Sequence, residues 1–331
     1  MKNIYSNIYK PTNNNLSKAK VAIEKGDVVA LPTETVYGLA ANAYNTKAVK
    51  KIFSLKKRPI NNPLIIHFKN IEQIKKEAVI NKNFLRLVKK FSPGPLTYVL
   101  KKRSSSKISK LANKGLSTLA VRIPSEKNTI KLLNILKCPL AAPSANRSKS
   151  LSPTTAKHVA EEFSSRIGMI IDGGTCKIGI ESTVIDLTTK PKILREGGLS
   201  SEVIAKFLKI KLSENKNKII KSPGQIGLHY SPGMPIYMNR EKATENGALI
   251  TFGNKNYGNQ NAFNLSTGGN LNEAAKNFFN TLRIIKNKKF KSISVNKIPN
   301  KNLGKAINER LRRAAYYEWK YNWSYKFIKE I

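Results

Sequence analysis

Apolar positions in the first half of the chain follow two spacings. Leu16, Ala19, Ala22 and Ile23 recur at helical intervals and stop at Lys25-Gly26, where the glycine ends the helix. Residues 28–31 (VVAL) form a short unbroken apolar run, which predicts a buried strand entering the loop PTETVYG at Pro32. A second helix is predicted over 46–56, followed by a basic loop, KKRPINNP, and a strand at 64–68. Further strands are predicted at 97–100, 118–123, 169–172, 183–186 and 192–195. Ser152-Pro153 reads as an N-cap followed by proline in the first helical position. Strands and helices alternate less regularly than in a doubly wound fold. The expected class is therefore α/β in the mixed α+β sense, a twisted mixed sheet with helices.

Residues 213–237 break the pattern, being rich in Pro, Gly, Ser and Asn without periodicity. They read as a linker or a long functional loop. Beyond them strands are predicted at 247–252, 263–265 and 292–295. Leu271, Ala274, Ala275, Phe278, Phe279, Leu282 and Ile285 share one face of a helix, and a terminal helix is expected from 303 to 319. This predicts a small Rossmann-like β/α domain with a parallel sheet. The expected organisation is a first domain at 15–212, a linker at 213–237 and a second domain at 238–331, which suits 331 residues at roughly 150 per domain.

Charge changes the picture only in part. Sixty Lys+Arg against 20 Asp+Glu give +40, which favours polyanionic partners. Lysine, asparagine and isoleucine are abundant throughout, as AT-rich coding would produce, so only positioned Arg and Lys count as chemistry. Two distant cysteines, Cys138 and Cys176, and three scattered histidines exclude a disulfide framework, a zinc finger and a multi-histidine metal cage. No apolar stretch reaches the roughly 18 residues of a membrane span, and 1–15 carries no apolar targeting segment. A cytoplasmic protein without membrane attachment is expected.

No Walker loop, dinucleotide fingerprint, nucleophile elbow or H-E-x-x-H motif is present, so a nucleotide would have to be held otherwise. His158 with Glu161 and Glu162 lacks a second histidine and reads as a solvated helix face. Thr33 and Thr35 at a strand end, the trio Lys56-Lys57-Arg58 and Asn61-Asn62-Pro63 fall within one βαβ-like unit. Arginine grips phosphate or carboxylate through two N–H groups, whereas lysine offers a mobile point charge. Taken alone, the basic trio is as well explained by an exposed helix end, and PTET by a helix cap.

PTETVYGLAANA followed by K-x-R-P-x-x-N-P-L-I-I-H resembles the threonylcarbamoyl-AMP synthase family, whose catalytic part is the YrdC-like domain. The resemblance continues through SPGPLTYVL, STLAVRIP, APSANRS, SPTTAKHV, DGGTCKIGIESTVIDL, LREGG, SPGQIGLHYSP and LGKAINERLRRAA, nearly the whole chain in family order. It implies a YrdC-like catalytic domain, a linker acting as lid and the smaller second domain of the two-domain form. The implied reaction joins L-threonine, bicarbonate and ATP into threonylcarbamoyladenylate and pyrophosphate, with Mg2+ arriving on the triphosphate. The product would feed the machinery that modifies tRNA next to the anticodon, and the charge adds the expectation of a weak tRNA contact.

The resemblance assigns Lys56 and Arg58 to catalysis and, with Arg195, to the phosphates. It assigns Arg122 to the carboxylate of threonine, with Thr35, His67 and Ser182 completing that pocket. Asn62, Thr118, Ser144 and Ser152 would contact ATP, and Tyr230 would fold over the nucleotide. Three departures from the pattern stand out: Lys149 where a glycine usually follows the SANxS motif, Ala40 in GLA, and GQIGLHY in the linker. Two rival readings use the same features. One is a basic RNA-binding module without catalysis. The other is a carbamoyl-adenylate enzyme fed by carbamoyl phosphate, although the extra segments of such proteins are missing.

Overall fold

The computed structural model describes residues 3–60, 62–214, 230–254 and 261–328; for 213–214 and 316–328 it describes the backbone alone. The chain divides into two compact units, Met1–Ser148 with Ser152–Gln225, and Lys149–Leu151 with Ile226–Ile331. Of the segment expected to be a linker and lid, 215–229 lies outside the described residues, while Tyr230 and the strand after it fall in the second unit.

The first unit is built on one mixed sheet. Its strands are β1 (Ile8–Tyr9), β2 (Val29–Leu31), β3 (Gly38–Asn42), β4 (Ile65–His67), β5 (Leu96–Lys101) and β6 (Thr118–Arg122). They are followed by β7 (Leu140–Ala141), β8 (Met169–Ile171), β9 (Thr183–Asp186), β10 (Lys192–Arg195) and β11 (Ser213–Glu214). The spatial order is β1-β8-β2-β3-β7-β4-β6-β5-β9-β10-β11. Parallel pairs such as β4–β6 and β5–β9 alternate with antiparallel ones such as β5–β6 and β9–β10. Seven helices are described here: α1 (Asn13–Glu24), α2 (Thr46–Lys56), α3 (Ile71–Glu77), α4 (Lys82–Phe91), α5 (Lys127–Ile135), α6 (Ala156–Phe163) and α7 (Ser201–Leu208).

Local chemistry sets these boundaries. Asn45 caps α2 by accepting from the Ala48 N–H, and Lys57 ends it in the left-handed conformation, φ 49°. The basic loop therefore starts with a sharp turn that throws Lys56 and Arg58 inward, and both are buried. Two expectations need correction. The helix expected to open at Ser152-Pro153 starts at Ala156, capped by Thr155, whose hydroxyl accepts from the His158 N–H. Ser152 is instead fully buried and donates to the Glu181 carboxylate at 2.5 Å. Gly38, read as the end of the loop PTETVYG, and residues 39–42, for which no element was expected, form β3 within the sheet, paired with β2 and β7.

The second unit carries β12 (Ile236–Met238), β13 (Ala248–Thr251), β14 (Ala262–Asn264) and β15 (Ile293–Val295), all parallel, in the order β12-β15-β13-β14. Helix α8 (Leu271–Asn287) buries Ala274, Ala275, Phe278, Phe279, Leu282 and Ile285, the face expected from the spacing. Helix α9 extends from Leu303 to Ile328, beyond the expected end.

Candidate active site

The parallel register of β4 and β6 sets His67 directly beside Arg122. Both are buried, and the Arg122 guanidinium is held on three sides. Its Nε donates to the Gly94 carbonyl at 3.2 Å, and its Nη2 donates to Thr35 Oγ1 at 3.0 Å. The same Nη2 lies 2.8 Å from the Glu34 carboxylate, whose other oxygen accepts from the Ser125 N–H at 3.1 Å. Thr35 is fixed in turn: its N–H donates to Thr33 Oγ1, and the two hydroxyls share a 2.8 Å bond. The loop after β2 thus delivers a hydroxyl and a carboxylate to one arginine. Burial, and then the charge of Arg122, push the His67 pKa well below the ordinary histidine value. The imidazole is neutral at pH 7, a polar wall for the pocket.

A second cluster gathers cations. Lys56 Nζ donates to the carbonyls of Ser144 and Asn146, at 2.5 Å each, and the lysine is 1% exposed. Burial, and then repulsion from Arg58, lower its pKa well below the ordinary lysine value, while Glu162 and Glu181 oppose the shift. Arg58 donates to the carbonyls of Asn62 and Pro63 at 3.0 Å each. The Asn62 Oδ1 is buried and has no hydrogen-bond partner among the described residues. A buried orphan acceptor of this kind costs free energy unless a ligand supplies a donor. Ser144 Oγ donates to Asn146 Oδ1 at 2.6 Å, so the SAN loop and the end of α2 are one bonded unit.

The third cluster lies on β9 and β10. Arg195 donates from Nε and Nη2 to the Ser182 carbonyl, at 3.1 and 2.8 Å, and reaches its hydroxyl at 3.2 Å. Ser182 Oγ shares a 2.8 Å bond with Thr97, and the adjacent Glu181 accepts from Ser152.

Eleven of the twelve residues singled out in the sequence thus lie in the first unit. Arg122, Thr35 and His67 meet directly, as do Lys56 and Ser144, Arg58 and Asn62, and Arg195 and Ser182. Thr118 stands apart from Arg122 at the opposite end of β6. Extending the β4–β6 register by two residues puts it beside Pro63, next to the basic loop. Tyr230 belongs to the second unit, where it is 1% exposed, its ring 5.7 Å from Phe279 and 5.4 Å from the Arg310 guanidinium. Sequence reasoning missed Glu34, Thr97, Asn146 and Glu181. All four sit inside the quoted motifs, but nothing in the spacing marked them as partners of the chosen residues.

The mixed sheet buries four cations, Lys56, Arg58, Arg122 and Arg195, among short hydroxyls and backbone carbonyls, a set of groups suited to anions. The family model described as telomere recombination (Sua5/YciO/YrdC) matches residues 21–197. The model described as threonylcarbamoyl-AMP synthase, C-terminal domain, matches 199–316. A threonylcarbamoyl-AMP synthase of Pyrococcus abyssi is 40% identical over 317 residues, covering 89% of this chain and 92% of the relative. One from Schizosaccharomyces pombe is 34% identical over 344 residues, covering 87% and 84%. The crystal structure of P. abyssi Sua5 complexed with L-threonine superposes with a TM-score of 0.86 at 37% identity, covering 93% of this chain and 97% of that one. The chain belongs to the threonylcarbamoyl-AMP synthase family, in its two-domain form. It is a nucleotidyltransferase-type enzyme.

Proposed function

We propose that the three clusters divide threonylcarbamoyl-AMP synthesis among them. Arg122 receives the carboxylate of L-threonine, with Thr35, His67 and Ser182 around it. Lys56, Arg58 and Arg195 receive the triphosphate, while Asn62, Thr118, Ser144 and Ser152 contact the rest of ATP. The threonine amine and bicarbonate give a carbamate and water. A carbamate oxygen then attacks the α-phosphorus, and the bond to pyrophosphate breaks. Such a displacement asks for alignment and for positive charge where the leaving group develops its own, not for a protein nucleophile. The observation that carries this reading is the burial of Lys56 and Arg58 beside one another, a mutual repulsion that a bound polyphosphate would relieve.

Magnesium is proposed as a passenger on ATP. No group of three or more His, Cys, Asp or Glu among the described residues could hold a metal ion, and Glu181 accepts a hydrogen bond from Ser152. That donor set suits Mg2+ held chiefly by phosphate and water oxygens, where it would neutralise charge on the departing pyrophosphate. Tyr230 is proposed as part of a lid over the adenylate, a labile mixed anhydride that water would destroy. The product is proposed to pass to the tRNA threonylcarbamoyl-transfer machinery in the cytoplasm, the basic surface giving at most a weak tRNA contact. No described helix is long and apolar enough to cross a membrane.

The test is pyrophosphate release from ATP by the full chain, with threonine and bicarbonate omitted in turn. Release that needs both supports the reading. Release driven by carbamoyl phosphate, or tRNA binding without any release, would replace it with one of the rival functions.

A further inference from the structure

Arg122 is not a lone cation awaiting a carboxylate. Its guanidinium already carries a carboxylate, that of Glu34, 2.8 Å away, and the two side chains are 4% and 5% exposed. Glu34 is pinned to this place by the Ser125 N–H, so the pairing does not depend on a free rotor. Its Oε1, the oxygen facing Arg122, is buried and, beyond this ion pair, has no hydrogen-bond partner among the described residues. Arg122 spends Nε and Nη2 on the protein, which leaves Nη1 for a ligand. The Arg122–Glu34 pair is therefore electrically balanced, and it is enclosed, where charges are felt more strongly than in water.

We infer that Glu34 is a specificity residue: by balancing Arg122 it makes the amino-acid subsite select a zwitterion over a simple carboxylate. This rests on the proposal that Arg122 receives the threonine carboxylate. A carboxylate on Nη1 brings its own α-ammonium within a few ångströms of the guanidinium. Glu34 is the anion that offsets this second positive charge. A ligand with the carboxylate alone would add an uncompensated negative charge next to Glu34. One with the ammonium alone would add an uncompensated positive charge next to Arg122. Lone Arg122 would instead accept any carboxylate.

Calorimetric binding to the full chain, with α,β-methylene-ATP saturating the phosphate cations, tests this with three ligands: L-threonine, 2,3-dihydroxybutanoate, which lacks the amine, and threoninamide, which lacks the carboxylate charge. The wild type should bind both analogues at least tenfold more weakly than threonine. Glu34→Gln should shrink the preference for threonine over dihydroxybutanoate at least tenfold, and Glu34→Asp, which keeps the charge, should restore it. A wild type that tolerates dihydroxybutanoate overturns the inference without any variant. So does a Glu34→Gln protein that loses both ligands equally, because Glu34 would then only position Arg122. Failure of the underlying reading looks different: Arg122→Lys would leave threonine binding unchanged whatever Glu34 does.

Discussion

Arg122→Lys separates recognition by the guanidinium fork from the charge that stabilises the fold. Alanine would confound the two, because removing one member of a buried pair leaves the Glu34 carboxylate uncompensated at about 3–5 kcal/mol, a large share of the roughly 5–15 kcal/mol that holds a protein folded. Lysine keeps a positive charge opposite Glu34. It cannot reproduce the fixed geometry in which Nε meets Gly94, Nη2 meets Thr35 and Nη1 is left for the substrate. The interaction lost is a charge-assisted hydrogen bond, about 1.5–3 kcal/mol, hence about 10- to 150-fold in threonine KM at roughly 1.4 kcal/mol per decade. The assay is the initial rate of pyrophosphate release with threonine varied at saturating ATP and bicarbonate, then with ATP varied. A thermal melt checks that the variant is folded. Threonine KM should rise at least tenfold while ATP KM moves less than about threefold on the same energy scale. An unchanged threonine KM, or an equal rise for ATP, would refute the assignment of Arg122.

The other predictions are simpler to read. Lys56→Ala should lower kcat about 10²- to 10³-fold with little effect on threonine KM if, as proposed, its ammonium meets charge that develops in the transition state. His67 has a folded pKa below its unfolded value of about 6.5, so the unfolded chain takes up the proton first as pH falls. Stability measured by urea titration should therefore be fully present above about pH 6.5 and decline below it, by at most about 1.4 kcal/mol per pH unit, and His67→Asn should flatten that decline. Lys149 sits at φ 75°, exposed, a left-handed conformation that suits glycine better than a side chain; Lys149→Gly should raise stability by about 0.5–1 kcal/mol, seen as a higher urea midpoint. Tyr230→Ala should reduce adenylate formed per ATP consumed, whereas Tyr230→Phe, which keeps the ring on Phe279, should retain it.

Much of the fold was legible because burial and period agree. Strands β9 and β10 each centre on a short apolar pair and fall at the expected 183–186 and 192–195, and the apolar face of α8 follows from spacing alone. What failed was local chemistry overridden by tertiary packing. Ser152-Pro153 has the composition of a helix start, yet the hydroxyl is taken by Glu181, a residue 29 positions away, and Thr155 caps instead. Residues 38–42 lack the β-branched side chains of a typical strand and are recruited by neighbours on both sides. The site residues were legible through motif resemblance, since no periodicity distinguishes Arg122 from any other arginine on a strand. Glu34 stayed invisible for a related reason: an acid three residues beyond a strand is ordinary until the fold sets it against a buried guanidinium.

The central claim is that carbon from bicarbonate enters the adenylate through the threonine amine. Mass spectrometry of the product formed by the full chain from ATP, L-threonine and ¹³C-labelled bicarbonate tests this directly. The account predicts threonylcarbamoyladenylate heavier by one mass unit than the product of unlabelled bicarbonate, together with stoichiometric pyrophosphate. Plain threonyl-adenylate, or an adenylate that carries no label, would contradict it.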